Sequence, residues 1–295
     1  MSKKPHFRRI ALIGIGLINS SLARLIKRDN LADSLTCFSR QESTLNEARN
    51  LKLCDSYFSN VQDAVHDADL VILGVPVGAN TSVAKIMGPA LSSKTIVTDV
   101  GSVKASVIKD IAPFLPNSVH FVPGHPVAGT EYSGPAAGFA SLFEGRWCIL
   151  TPENHTDSSA IETVRDFWCH AGMQVDVMEA AHHDKILAIT SHLPHLIAYS
   201  IVGTTHDLET VSEREVIKYA AGGFRDFTRI ASSDPVMWRD IFLSNREAVL
   251  EMLGRFSEDL TSLQRAIRWG DSDALEELFS RTREIRRSLI EAKQI

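Results

Sequence analysis

Apolar and polar positions follow two different rhythms along this chain. Up to about residue 178, short apolar, β-branched runs recur: RIALIG (9–14), LTCFS (35–39), LVILGV (70–75), TIVTDV (95–100), VHFVP (119–123), WCILTP (147–152) and MQVDVM (173–178). Between most of them lie stretches of helical period, such as 17–28, 78–91 and 102–113. Strands that are apolar throughout, joined by helices, predict a mainly parallel sheet buried on both faces. The expected architecture is therefore an α/β, doubly wound (Rossmann-type) unit over residues 1–178.

Beyond residue 178 the strand signal stops and helical periodicity takes over. From Asp234, the residues Trp238, Ile241, Phe242, Val249, Met252, Phe256, Leu260, Leu263 and Ile267 recur at spacings of three and four. Asp271 then stands where an N-cap belongs, ahead of an amphipathic helix over 272–290. An all-α domain over 179–295 is expected. Its 234–269 stripe reads as a bundle seam that can bury itself within one chain or against a second copy, and a homodimer is the favoured expectation.

Composition narrows the partners. The 295 residues are 44% hydrophobic and 23% charged, with a formal net charge of −5. That charge argues against a nucleic-acid surface. Four cysteines without C-x-x-C spacing read as reduced thiols. The start, MSKKPHFRRIALIGIGLI, has the basic flank and short apolar run of a secretion signal. The run is too short to span a membrane, and its removal would delete the first strand, so a cytoplasmic protein is expected.

Glycine supplies the first chemical clue. Gly14 and Gly16 end the first strand and lead straight into a helix, where the amides of Leu17 and Ile18 would face an anion such as a pyrophosphate. The third glycine of the dinucleotide fingerprint is Asn19 here, which puts the close packing of helix on strand in question. At the end of the second strand, the usual ribose-binding carboxylate is replaced by Ser39-Arg40. A hydroxyl and a planar cationic fork suit a 2′-phosphate, so NADP is expected, with NAD use left open. Val75-Pro76 forms a stiff apolar corner at another strand end, and Ser102 stands after Asp99 and Gly101 as an expected helix N-cap.

The run HFVPGHPVAGTEYSGP (120–135) is so rich in Gly and Pro that its His, Glu and Tyr read as loop residues. Together, GIGLINSSLAR, TDVGSVK, GHPVAGTEYSG, HDKILAITSHLPH and GGFRDFTRIASSDPVMWRDI resemble the prephenate/arogenate (cyclohexadienyl) dehydrogenase family of tyrosine biosynthesis. The resemblance spans both halves of the chain. It implies oxidative decarboxylation of a cyclohexadiene to a phenol, with hydride passed to NADP or NAD and no metal. It makes His125 the catalytic acceptor of the ring hydroxyl's proton and places Ser102 in a hydrogen bond to His125 or that hydroxyl. It further assigns Arg229 to a substrate carboxylate and His195 to the substrate, at its side-chain carboxylate.

Gly222 and Gly223 would let backbone approach the substrate side chain, and Glu131 and Asp184 are candidates to orient Arg229 or gate entry. Pro194 is expected to kink its helix and aim His192 and His195 into a cleft. Tyrosine, so like the substrate, can compete for that cleft. Two other readings stay open: a 3-hydroxyacid dehydrogenase or imine reductase of similar architecture, and a non-enzymatic NADP-binding sensor or scaffold.

Overall fold

In the computed structural model, residues 5–209 and 221–291 are described. Strands β1 (Phe7–Ile13), β2 (Ala32–Phe38), β3 (Ser56–Phe58), β4 (Leu70–Leu73), β5 (Ile96–Asp99) and β6 (His120–Val122) form one sheet in the order β3-β2-β1-β4-β5-β6. Every pairing in it is parallel. The order reverses between β1 and β4, and a crevice opens beyond the carboxyl ends of the strands at such a reversal.

Both faces of the sheet are covered. One cluster joins Ile10, Leu12, Leu22, Leu25 and Ile26 to Phe143, Phe167 and Trp168. The other joins Ala11, Ile13, Val71, Leu73 and Val97 to Val103, Val107, Trp238 and Ile241. Alternate residues of β1 feed opposite clusters, as the strand's period of two requires.

The Gly-Pro run is not all loop. Gly124–Pro126 is a short strand, β7, antiparallel to β8 (Trp147–Leu150), which pairs in turn with β9 (Gln174–Val177). His125 lies opposite Ile149, so a histidine expected on a loop is held in a small second sheet. Proline is tolerated there because β7 is an edge strand of that sheet.

Of the helices that place the site, α1 (Leu17–Asp29), α4 (Asn80–Met87) and α5 (Ala105–Ile111) follow β1, β4 and β5. Between them α2 (Glu42–Asn50) and α3 (Val61–Val65) flank β3, and α6 (Ser158–His170) connects β8 to β9. After β9 come α7 (Ala180–Leu187), a π-helical turn (Ala188–His192), and α8 (Leu193–Glu209). The π turn immediately precedes Pro194, and Leu193 N–H donates to the Ala188 carbonyl there. A proline has no amide for the carbonyl four residues back, and the wider turn absorbs that defect. The run Ala180–Asp207 has the length and mean hydropathy (1.4) of a membrane span. In this fold, however, it buries polar groups, His183, Asp184 and His192 among them.

Then come α9 (Gly222–Thr228), α10 (Pro235–Ser244), α11 (Arg246–Trp269) and α12 (Ser272–Glu291). The 234–269 seam, read as one helix, is broken at Asn245. Buried Asn245 spends its side-chain amide on the Asp184 carbonyl (2.8 Å) and on His192 Nδ1 (3.1 Å). Asp234 caps α10 through Met237 N–H (2.8 Å), and Asp271 caps α12 through Ala274 N–H (3.1 Å). By its contacts the chain forms two compact units, Met1–Arg246 and Glu247–Ile295. The first contains both sheets and every side chain discussed below.

Candidate active site

At the carboxyl end of β1, Gly14 has φ +85°, and a Cβ there would lie 2.7 Å from the Gly74 carbonyl oxygen. Only glycine fits that turn. Gly16 caps α1, and a Cβ added to it would meet nothing within 4 Å. The start of α1, with the amides of Leu17 and Ile18, thus borders open space at Gly16, where backbone can approach an anion.

Asn19 does not loosen the packing as its replacement of glycine suggested. It is 1% exposed and donates to the Gly14 carbonyl (2.7 Å), with longer contacts to the carbonyls of Ile72 (3.3 Å) and Ile13 (3.4 Å). Room for it comes from Gly74, whose missing Cβ would sit 2.5 Å from the Asn19 amide nitrogen. The close approach has moved from the helix to β4.

Ser39 and Arg40 follow β2 at the same edge. Ser39 Oγ accepts from Gln41 N–H (3.2 Å), while Arg40 is exposed and makes no hydrogen bond or ion pair among the described residues. Val75 and Pro76 follow β4, with Val75 packed on the cluster that holds Trp238. These residues supply an anion-binding helix start, a free guanidinium and an apolar corner, and so fit a phosphorylated dinucleotide.

His125 is 6% exposed. Its Nδ1 lies 2.8 Å from His183 Nε2, and His183 Nδ1 lies 2.8 Å from Asp184 Oδ1. A carboxylate only accepts, so it takes the Nδ1 proton of His183. His183 Nε2 then accepts from His125 Nδ1–H, and the bare nitrogen of the pair is His125 Nε2. Burial, then the charges of His183, Lys104 and His192, hold His125 well below the usual histidine pKa. The ring is a neutral acceptor at physiological pH.

Ser102 does not cap a helix. Helix α5 begins at Ala105, and its first amides, Lys104 N–H (2.8 Å) and Ala105 N–H (3.0 Å), donate to the Asp184 carboxylate. Nor does Ser102 hold His125 Nδ1, which His183 occupies; the Ser102 backbone instead faces the buried His192. His192 is itself a packed residue, pushed down to about 4 by burial.

Lys104, with a fully buried side chain, donates Nζ to Asp99 and to the Gly124 carbonyl (2.7 Å). Asp99 in turn accepts from Gly124 N–H (3.1 Å) and Gly101 N–H (2.8 Å). The strand that carries His125 is thereby bolted to the end of β5.

His195 stacks on Trp238 with ring centroids 3.6 Å apart. His195 Nδ1 donates to the Ser191 carbonyl (2.9 Å), and Nε2 has no hydrogen bond among the described residues. Burial, and the nearby Arg229, lower its pKa. Arg229, 56% exposed, pairs with Glu131 at 2.8 Å. The expected role of Asp184 beside Arg229 does not hold, because both its oxygens are spent on α5 and His183. Asp226 pairs with Arg225 rather than with Arg229. Gly222 and Gly223 start α9; a Cβ on Gly223 would meet nothing within 4 Å, while one on Gly222 would lie 3.8 Å from Arg225 Nη2.

Sequence reasoning missed His183 and Lys104, and it misassigned Asp184. The only signal was their presence inside quoted motifs; a buried lysine and an i, i+1 His-Asp pair have no periodicity to reveal them.

A family model described as the prephenate dehydrogenase nucleotide-binding domain matches residues 22–177, and one for the prephenate dehydrogenase dimerization domain matches 179–281. The chain is 46% identical over 283 residues to a cyclohexadienyl dehydrogenase of Zymomonas mobilis, covering 96% of each. It is 32% identical to a prephenate dehydrogenase of Bacillus subtilis, over 95% of this chain and 76% of that one. Among solved structures, prephenate dehydrogenase from A. aeolicus in complex with hydroxyphenyl propionate and NAD+ superposes with a TM-score of 0.87. It shares 34% identity over 98% of this chain and 100% of its own. A Synechocystis arogenate dehydrogenase gives 0.77 at 27% identity, over 95% and 99%. This chain belongs to the prephenate dehydrogenase family.

Proposed function

We propose that this dehydrogenase oxidatively decarboxylates prephenate, arogenate or both, yielding 4-hydroxyphenylpyruvate or tyrosine, with NADP favoured over NAD. The observation that carries the reading is the buried His125, whose Nδ1 is engaged so that Nε2 alone is left to accept. When bound, a nicotinamide cofactor would supply the acceptor for the hydride of the ring carbon that bears the hydroxyl.

His125 Nε2 accepts a hydrogen bond from that hydroxyl and draws its proton as positive character grows on the carbon. The ring carboxylate then leaves as CO2, its bonding pair completes the aromatic ring, and the phenolate oxygen takes its proton back from His125. The chain's task is alignment, and a base fixed on a strand suits it better than one on a loop.

Arg229 and His195 take the substrate's two carboxylates, and Glu131 holds the guanidinium oriented until one arrives. The Trp238–His195 stack and Val75-Pro76 exclude water. Gly14, Gly16, Leu17 and Ile18 would hold the pyrophosphate, while Ser39 and Arg40 would hold a 2′-phosphate.

Residues 1–178 form the cofactor domain in this reading, and 179–295 the substrate and dimerisation domain of a cytoplasmic homodimer. Support comes from the family-model spans, which meet between 177 and 179, and from the description of the second as a dimerization domain.

The test is turnover with prephenate and with arogenate, each with NADP and NAD, beside His125→Asn. Reduced cofactor from at least one pairing is expected. The variant should lose roughly 10²- to 10⁴-fold in kcat while binding cofactor as before. No reduced cofactor in any of the four pairings would refute the reading.

A further inference from the structure

We propose that His183 and Asp184 are positioning residues that set which nitrogen of His125 is bare and hold its proton in transit, an inference that rests on the dehydrogenase reading above. The geometry is a closed circuit. Asp184 accepts from His183 Nδ1 (2.8 Å) and, at its other partners, from the amides of Lys104 (2.8 Å) and Ala105 (3.0 Å). Lys104 Nζ reaches the Gly124 carbonyl (2.7 Å), one residue before His125, and His125 Nδ1 returns to His183 Nε2 (2.8 Å). Every donor in the circuit is assigned once Asp184 is anionic.

Its anionic form is secured. Burial alone would raise the Asp184 carboxyl, but the His183 hydrogen bond and the two α5 amides outweigh it and hold the group below the ordinary carboxylate range. With the carboxylate fixed, His183 has one permitted neutral tautomer, and so has His125. Were Asp184 a hydrogen-bond donor instead, both rings would flip. His125 would then present Nε2–H to the substrate hydroxyl and could take no proton.

The same circuit shuttles charge. As the substrate hydroxyl gives its proton to His125 Nε2, His125 Nδ1–H passes its own to His183 Nε2, and the positive charge rests between His183 and the Asp184 carboxylate. After CO2 departs, the shifts reverse and the phenolic oxygen regains its proton, so the protein ends as it began. Around the pair, the other charged or titratable groups are Lys104 and His192 near His125, and Lys104 and Asp99 near His183. Lys104 opposes protonation, so Asp184 is the neighbour that hydrogen-bonds the cationic form.

Three measurements test this. In cofactor-free wild-type protein, histidine 15N spectra should show His125 protonated at Nδ1 and bare at Nε2, and Asp184→Asn should reverse or mix that pattern. In steady state, His183→Gln and Asp184→Asn should each lower kcat by roughly 10- to 100-fold, with KM and cofactor Kd within about twofold of wild type. Removing the carboxylate should also move the acid limb of the kcat profile to lower pH, because an anion that favours the imidazolium is gone.

His183→Gln leaves the Asp184 contacts to α5 in place and carries the test should Asp184→Asn not fold. An unchanged 15N pattern, or a fall in kcat with an unmoved pH profile, would overturn the proposal. Wild-type protein inactive in all four pairings would instead sink the dehydrogenase reading, while the 15N experiment still judges the tautomer.

Discussion

Replacing Lys104 by methionine probes how the base is held. The side chain is fully buried and its ammonium meets the Asp99 carboxylate and the Gly124 carbonyl. Methionine keeps much of the unbranched stem's volume but leaves Asp99 as a buried anion with two amides, Gly101 and Gly124, for company. Breaking one side of a buried pair costs about 3–5 kcal/mol. The two remaining amide bonds favour the low end, about 3 kcal/mol, or a Tm lower by roughly 6–12 °C. Urea unfolding of the cofactor-free protein measures it directly. Lys104→Met combined with Asp99→Asn should lose less than the sum of the single variants, because no charge is orphaned.

The variant also carries a functional sign. A cation beside His125 disfavours its protonation, so removing Lys104 raises the imidazole pKa. Activity should then fail at a higher pH on the acid side than in wild type, opposite to the shift expected of Asp184→Asn. A loss below about 1 kcal/mol with an unmoved acid limb would refute both the buried pair and its hold on His125.

Three further outcomes are expected. Arg229→Ala should raise KM by about tenfold or more with kcat little changed, and steady-state kinetics with an unaltered KM would remove Arg229 from the carboxylate site. Arg40→Ala should weaken NADP binding by about tenfold while leaving NAD within twofold, read by fluorescence titration, since only NADP offers the guanidinium a 2′-phosphate. His195 spends Nδ1–H on Ser191 and can donate to a carboxylate only when Nε2 is protonated too. Its pKa is lowered, so kcat/KM should fall as pH rises through that depressed value, and a flat profile across the acid range would place the carboxylate elsewhere.

The parts of the fold that obey a period were legible in the sequence. The strands with long apolar runs and helix α1 followed from alternation and from the glycine turn, and the helices after 178 from their spacing. What escaped has physical causes. Ser56–Phe58 and Gly124–Pro126 are three residues each, too short for a pattern, and the second contains residues with poor strand propensity. The break at Asn245 comes from tertiary hydrogen bonds to Asp184 and His192, which a helical stripe cannot express.

Likewise, α5 is capped by a carboxylate 80 residues later in the chain, so Ser102 looked like the cap by default. His125, His195 and Arg229 were singled out through ordered motifs, and Glu131, proposed to orient Arg229, pairs with it at 2.8 Å. Lys104 and His183 were invisible as chemistry because their burial and their contacts to the Gly124 carbonyl and His125, 20 and 58 residues away in the chain, are set by the fold.

A crystal structure of this protein with NADP and 4-hydroxyphenylpyruvate tests the central claim most directly. The account predicts the phenolic oxygen about 2.6–3.2 Å from His125 Nε2, with the side-chain carboxylate toward His195. A phenolic oxygen bound away from His125, or a nicotinamide on the far side of the sheet edge from that ring, would contradict it.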